Sequence, residues 1–356
     1  MSILEKESGE FFCALREVYS WLEDDLSREI YEVQMQYILT DDQSKFGELS
    51  KKSGVFIPVL AELEGGEYLI IYGMGRRGGL LVPVLKQLME NPLFVFCDGN
   101  YEKSGIQFGQ QVLSPQRVLE NYQNSKVIIT PKDGQEEIEY TLSQFGVSES
   151  NIYKWDDIVS NLVVGVYRTQ YFDPVINFHE KEIFVDVGAL DGMTSVHFAQ
   201  KCNGQYEKIY LFEAESNKRK EIETTIKTYE LHNTELHMKG LWNCQDTLSF
   251  EGDLGGGSTI SEGGQMTIEV DTLDNLLEGR AITFLKMDIE GAEIGALEGA
   301  KDTIQNYKPK LAISIYHKPE DLIEIPMYLK ELVPEYRFYI RHYAWNKSET
   351  ILYAIL

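Results

Sequence analysis

The 356-residue sequence predicts an α/β protein: two parallel-sheet units of unequal size behind a helical N-terminal arm. Three observations carry this prediction. Short apolar strands alternate with segments of helical period through two separate stretches of chain, the pattern of parallel sheets with right-handed crossovers. In each stretch one strand runs into a glycine turn and the next strand ends in an acid, Asp98 in the first and Glu213 in the second. The last two strand segments, Tyr336–His342 and Thr350–Ile355, follow one another with no helix between them, which closes the larger sheet with a terminal antiparallel hairpin.

In chain order, residues 1–53 form the arm. Phe11, Phe12, Leu15, Val18, Tyr19, Leu22 and Leu26 make one apolar helical stripe, and Ile30, Val33, Tyr37 and Ile38 mark a second helix. Such an arm packs either on its own chain or on a second subunit, so a homo-oligomer through these helices is one expectation.

Residues 54–157 form the smaller unit. Strand Tyr68–Tyr72 enters GMGRRGG and a helix, strand Leu93–Cys97 ends in Asp98, and strand Lys126–Thr130 precedes another helix. Gly73, Gly75 and Gly78 spell G-x-G-x-x-G, and Asp98 lies where a ribose-binding acid would stand. A second nucleotide-type site and a purely structural turn are both open readings here. The unit is about half the size of a full two-lobed dinucleotide fold, and no catalytic constellation accompanies its loop.

Residues 158–356 form the larger unit. EIFVDVGALDG is a strand followed by a turn, and the strand Lys208–Phe212 leads into Glu213. The turn lacks the glycine run of a pyrophosphate cradle and carries Asp191, which would repel phosphate. Ribose without phosphate, on a cofactor with a cationic centre, suits this segment, and S-adenosylmethionine has that chemistry. Further strands are read at Glu235–Lys239, Ile282–Met287 and Leu311–Tyr316.

A formal net charge of −24 argues against a nucleic-acid partner and against binding an anionic membrane face. No apolar run is long enough to span a bilayer, and the four cysteines show no paired spacing. A cytoplasmic protein is the resulting expectation.

FVDVGALDGMTS, LFEAE, TLDNLL, FLKMDIEGAEIGALEGA and ISIYHKPED, in that order, resemble the FkbM-type S-adenosylmethionine-dependent methyltransferases across about residues 171–356. The smaller unit resembles, more loosely, the nucleotide-binding-like domains that sometimes precede such enzymes. The resemblance implies a class I methyltransferase sheet and methyl transfer to a hydroxyl of a sugar, glycan or other small molecule. It also implies roles residue by residue. Asp186, Gly188, Ala189, Asp191 and Gly192 would hold the methionine part of the cofactor, with Asp186 facing its ammonium. Glu213 would accept the ribose hydroxyls, Gly240, Leu241 and Trp242 would wall the adenine, and Asp288 would stand where cofactor and acceptor meet.

An alcohol acceptor also needs a proton acceptor within hydrogen-bond reach. His317, at the end of the fifth strand, is the candidate base, and His342 the second choice. Each residue has a plainer reading as well: Asp186 and Asp288 as helix-terminal carboxylates, Glu293 as part of the following helix only, His317 as a structural hydrogen-bond partner. Asp288, Glu290 and His317 have no recognisable metal spacing, so no metal is expected. The glycine-rich stretch Gly252–Gly264 is either a substrate-covering loop or a hairpin tip. Two other functions stay open: a non-catalytic cofactor-binding protein, and a dinucleotide-dependent enzyme acting through residues 54–157. In the methyltransferase reading, that smaller unit is a candidate for holding a nucleotide-linked part of the acceptor.

Overall fold

The computed structural model describes residues 8–42, 65–122, 124–155, 170–251, 259–260, 266–344 and 346–356, with Lys45, Phe46, Leu49, Lys52, Leu63 and Ile158. Two compact units emerge. One takes residues 1–42, 167–343 and 347–356; the other takes 43–166 and 344–346. The arm of the sequence reading is therefore divided, with its two helices in the larger unit.

Those helices are α1 (Ser8–Trp21) and α2 (Asp25–Thr40). Asp24 caps α2 by accepting from the Ser27 amide at 2.8 Å, and Asp41 ends it in the left-handed region. The first predicted stripe buries Val18 and Leu22 and leaves Phe12 exposed, while Ile30 of the second helix is buried.

The smaller unit runs β1 (Leu69–Tyr72), α3 (Arg76–Leu88), β2 (Phe94–Cys97), α4 (Tyr101–Ser104), β3 (Ile106–Gln107), β4 (Gln110–Gln111), α5 (Pro115–Asn121), β5 (Lys126–Ile129), α6 (Gln135–Gln144) and β6 (Ile152–Lys154). Its main sheet has the order β2-β1-β5-β6 and is wholly parallel. Both faces of β1 and β2 are buried, which explains why these strands read as unbroken apolar runs.

The larger unit resumes with β7 (Glu182–Val187), α7 (Met193–Lys201), β8 (Tyr206–Phe212), α8 (Arg219–Thr228) and β9 (Thr234–His237). A side sheet follows, from β10 (Gly240–Leu241), β11 (Asp246–Glu251), β12 (Thr259–Ile260) and β13 (Met266–Asp271). Then come α9 (Leu273–Leu277), β14 (Phe284–Met287), α10 (Glu293–Glu298), α11 (Lys301–Tyr307), β15 (Lys310–Ser314), α12 (Asp321–Leu332), β16 (Arg337–His342) and β17 (Thr350–Ile355).

Its seven-stranded sheet has the order β16-β17-β15-β14-β7-β8-β9. All pairings are parallel except those of β17, which runs antiparallel between β15 and β16. The predicted hairpin thus closes the sheet with its second strand inside and its first at the edge. Strand order reverses between β7 and β14, and in an open parallel sheet that switch point opens a crevice at the carboxyl ends. Phe172, Phe184, Phe198 and Phe284 form the core beneath it, with Phe184 and Phe198 stacked at 4.4 Å.

The arm shields the β16 edge. The Glu23 amide donates to Phe338 O at 3.0 Å, the Ile340 amide donates to Ser27 Oγ at 2.9 Å, and Arg341 grips Asp24 with both guanidinium nitrogens, the shorter contact 2.6 Å. An exposed edge strand invites pairing with another chain, and this arrangement removes that opportunity. No helix among the described residues is long and apolar enough to cross a membrane.

Candidate active site

The site begins with a lysine that interrupts an apolar strand. Lys286, 3% exposed at its side chain, points from β14 toward β7, 3.1 Å from Asp186 Oδ1. Its ammonium donates to Val187 O at 3.1 Å and Gly188 O at 2.7 Å, and lies 5.2 Å from the centre of the Tyr171 ring. Asp186 Oδ2 accepts from Ser195 Oγ at 2.8 Å. Asp186 is completely buried and its carboxylate is committed to Lys286 and Ser195, so it does not face a cofactor ammonium as the sequence reading expected. Its role is to neutralise the lysine that holds the carbonyls of the glycine turn.

Gly188 sits at φ +78°, and a Cβ there would lie 2.0 Å from Asp288 O. Only glycine fits both conditions, so this residue sets how closely the β7 turn approaches the end of β14. The Gly188 and Ala189 amides both donate to Phe212 O at 3.0 Å. Ala189 is buried, Asp191 Oδ1 accepts from the Met193 amide at 2.9 Å, and Gly192 opens α7 at φ +81°. Leu190, at φ +52°, stands exposed above the turn.

Glu213, just past β8, clamps this loop. Its Oε2 accepts from the Leu190 amide at 2.8 Å and its Oε1 from the Glu215 amide at 2.9 Å. Burial pushes its carboxyl up from the ordinary glutamate value. Gly240 lies beside it: a Cβ there would stand 3.6 Å from Ala214 Cβ. Leu241 is buried, and the ring of Trp242 packs on α10, where a Cβ at Gly295 would meet it at 2.5 Å. Of the proposed adenine wall, Gly240 stays partly open while Leu241 and Trp242 turn into packing.

A second cluster lies at the carboxyl ends of β14 and β15. Asp288 Oδ2 accepts a short hydrogen bond from Tyr171 Oη, and Tyr316 Oη reaches Asp288 Oδ1 at 3.5 Å. His317 stands between carboxylates: Nε2 is 3.4 Å from Asp288 Oδ1 and 3.4 Å from Glu290 Oε2, and Nδ1 is 3.0 Å from Glu293 Oε1. Glu349 enters from the loop before β17, tied to Tyr171 through Gln170.

Burial alone would lower the His317 pKa, but the Glu293 hydrogen bond and the charges of Glu293, Asp288 and Glu290 outweigh it and raise the ring to about 9. Carboxylates on three sides thus favour the imidazolium form, which weighs against the free-base role expected of the ring. Burial, against the pull of His317, lifts Glu290 to about 7, and burial with the Asp288 charge lifts Glu349. His342 is buried in the terminal hairpin with Nδ1 on Thr350 Oγ1 at 2.8 Å, away from this cluster.

Glu293 corrects another expectation. Rather than merely belonging to its helix, it is fully buried, accepts from the Ile289 amide at 2.9 Å and orients His317. Lys286, Tyr316 and Glu349 were also missed. Only Lys286 left a signal, as a lone cation in the apolar strand FLKM.

The smaller unit repeats part of this construction. Asp98 Oδ2 accepts from the Met74 amide and Oδ1 from the Asn100 amide, each at 2.7 Å, as Glu213 does for Leu190 and Glu215. A Cβ at Gly78 would meet Gly73 O at 2.1 Å, and one at Gly73 would meet Pro131 Cδ at 2.6 Å. Packing accounts for these two glycines without a ligand. Gly75 has open space around it. Most of Gly252–Gly264, and with it the expected substrate-covering loop, lies outside the described residues.

A seven-stranded sheet of this order, with its glycine turn and acid at the crevice, defines a class I methyltransferase fold. Residues 186–338 match the model of the methyltransferase FkbM domain, so the larger unit carries an FkbM methyltransferase domain. S-adenosylmethionine is its cofactor. The residues fit that group: a buried acid, the Gly188–Gly192 turn and the half-open Gly240 meet along one edge of the sheet.

Methyltransferase FkbM from Methylobacillus flagellatus KT has a similar fold, with TM-score 0.50 and 18% identity over 93% of this chain and 99% of that one. More distant are an rRNA methylase from Streptococcus thermophilus (TM-score 0.34, 14% identity, 55% of this chain and 93% of that one) and Aeropyrum pernix fibrillarin with bound S-adenosyl-L-methionine (TM-score 0.36, 9% identity, 54% and 74%). Neither carries weight for function. No curated protein sequence matches the chain.

Proposed function

We propose that the chain is an S-adenosylmethionine-dependent O-methyltransferase of the cytoplasm, acting on a hydroxyl of a sugar, glycan or other hydroxylated small molecule. The supporting observation is the contact between Gly188 and Asp288, which sets the cofactor turn directly against a half-buried carboxylate cluster. When bound, the cofactor supplies an electrophilic methyl on a sulfonium.

The chain's own part is positional and electrostatic. Lys286 and Glu213 fix the turn so that reacting groups are held in line, the effect that accelerates a displacement most. Asp288 accepts the proton that the acceptor hydroxyl releases as its oxygen bonds carbon. The charged His317 beside it stabilises that carboxylate and does not compete for the proton.

The test measures S-adenosylhomocysteine release against a panel of hydroxylated acceptors, with Asp288→Asn beside the parent. The proposal expects turnover to fall by about 10²-fold or more while S-adenosylhomocysteine affinity stays within a few-fold. Methylation of amines alone, or full turnover in Asp288→Asn, would reject the hydroxyl reading. Binding of cofactor with no turnover on any acceptor class favours the non-catalytic alternative.

A further inference from the structure

We propose that Asp288, Glu293 and His317 form a binding site for one divalent transition-metal ion at the carboxyl ends of β14 and β15. The three offer a ligand atom each, all within 4.8 Å of one another. Two nitrogen or oxygen ligands about 2.1 Å from a single ion sit about 3.0 to 3.4 Å apart at angles between right and tetrahedral. The contact from His317 Nδ1 to Glu293 Oε1, 3.0 Å, falls in that range, and an Asp288 oxygen completes the set within 4.8 Å.

Burial makes the cluster more than a patch of surface acids. Glu293 is 0% exposed and its Oε2 has no hydrogen-bond partner, and the His317 side chain is 8% exposed with neither ring nitrogen in a well-aligned hydrogen bond. A fully buried carboxylate oxygen without a partner is costly, and a cation supplies what it lacks. A bound ion displaces the ring proton: Nδ1 joins Glu293 on the ion while Nε2 keeps Glu290 Oε2, 3.4 Å away, as its carboxylate partner, the arrangement that fixes the orientation of metal-binding histidines.

One imidazole among carboxylates suits Mn²⁺ or Zn²⁺ better than Mg²⁺, which takes oxygen almost alone. Glu290 Oε2, 3.4 Å from Nε2, and Glu349 add negative charge at the rim. The sequence spacing gave no hint because Asp288 and Glu293 flank a turn, and His317 comes from the neighbouring strand.

The test titrates Mn²⁺ into chelator-treated full-length protein and follows free Mn²⁺ by electron paramagnetic resonance. One saturable site is expected, displaced by Zn²⁺ and weakened at least tenfold in both His317→Gln and Glu293→Gln. S-adenosylhomocysteine binding, measured on the same samples, reports folding and the cofactor site separately, so a failed metal site and a failed methyltransferase reading are distinguishable. Absence of saturable Mn²⁺ binding in protein that still binds S-adenosylhomocysteine overturns the proposal. So does Mn²⁺ affinity that is unchanged in His317→Gln.

Discussion

Lys286 and Asp186 form an ion pair sealed beneath the cofactor turn, 3.1 Å apart, with side-chain exposures of 3% and 0%. The pair spans β14 and β7, the two strands at which the sheet order reverses. Removing one partner of a buried pair strands the other charge, which typically costs about 3–5 kcal/mol. Lys286→Met is expected to destabilise the larger unit by that order in urea unfolding. It is also expected to weaken S-adenosylhomocysteine binding, because the Val187 and Gly188 carbonyls lose their shared donor. Stability and affinity both near the parent's would remove Lys286 from the account of the site.

Gly188→Ala places a methyl group 2.0 Å from Asp288 O at a φ of +78°. The left-handed conformation alone costs an alanine about 1 kcal/mol or more, and the clash adds strain of about 1–3 kcal/mol. A drop in melting temperature together with loss of S-adenosylhomocysteine binding is the expected result. Gly75→Ala in the smaller unit has nothing within 4 Å of its Cβ and serves as the comparison, with little change in stability.

The strands were legible because β1, β2, β7, β8, β14 and β15 are buried parallel strands with apolar runs, and the turns because those of β1 and β7 end directly at Gly73 and Gly188. Asp186 misled for a related reason. A carboxylate ending an apolar strand reads as ligand-facing, but its direction depends on Lys286, a residue distant in sequence on the neighbouring strand. The acidic cluster was legible only in part: Asp288, Glu290 and His317 follow neighbouring strands and group together in sequence terms, whereas Tyr171 and Glu349 come from separate segments that only the folded chain brings to them. Charge state is harder still to read, since three neighbouring carboxylates convert His317 from a histidine near its ordinary value to one held at about 9.

Acid stability should report on the arm. Burial raises the Asp24 pKa, but the hydrogen bonds from Arg341 and Ser27 overcome this and hold it at about 2, below the ordinary 3.8. A carboxyl depressed in the folded state contributes stability that is fully present above its unfolded value and is lost as pH falls through the folded one. Between about pH 4 and pH 2, Asp24→Asn should therefore show a flatter dependence of unfolding free energy on pH than the parent. Parallel curves for the two proteins would show that the Arg341 pair contributes nothing to anchoring the arm.

Glu213 and Asp98 make the same pair of hydrogen bonds in the two units, each accepting from one amide of its glycine turn and from the amide two residues beyond itself. The shared geometry lets one experiment separate turn-holding from cofactor binding. Glu213→Gln keeps an acceptor for one amide and sets an amino group against the other, so the Leu190 loop should loosen. S-adenosylhomocysteine affinity is expected to fall at least tenfold by isothermal titration. Asp98→Asn makes the corresponding change in the smaller unit and should leave that affinity unaltered, with its effect confined to stability. Equal losses in both variants would mean that the cofactor depends on both turns, and the assignment of the site to the larger unit alone would fail.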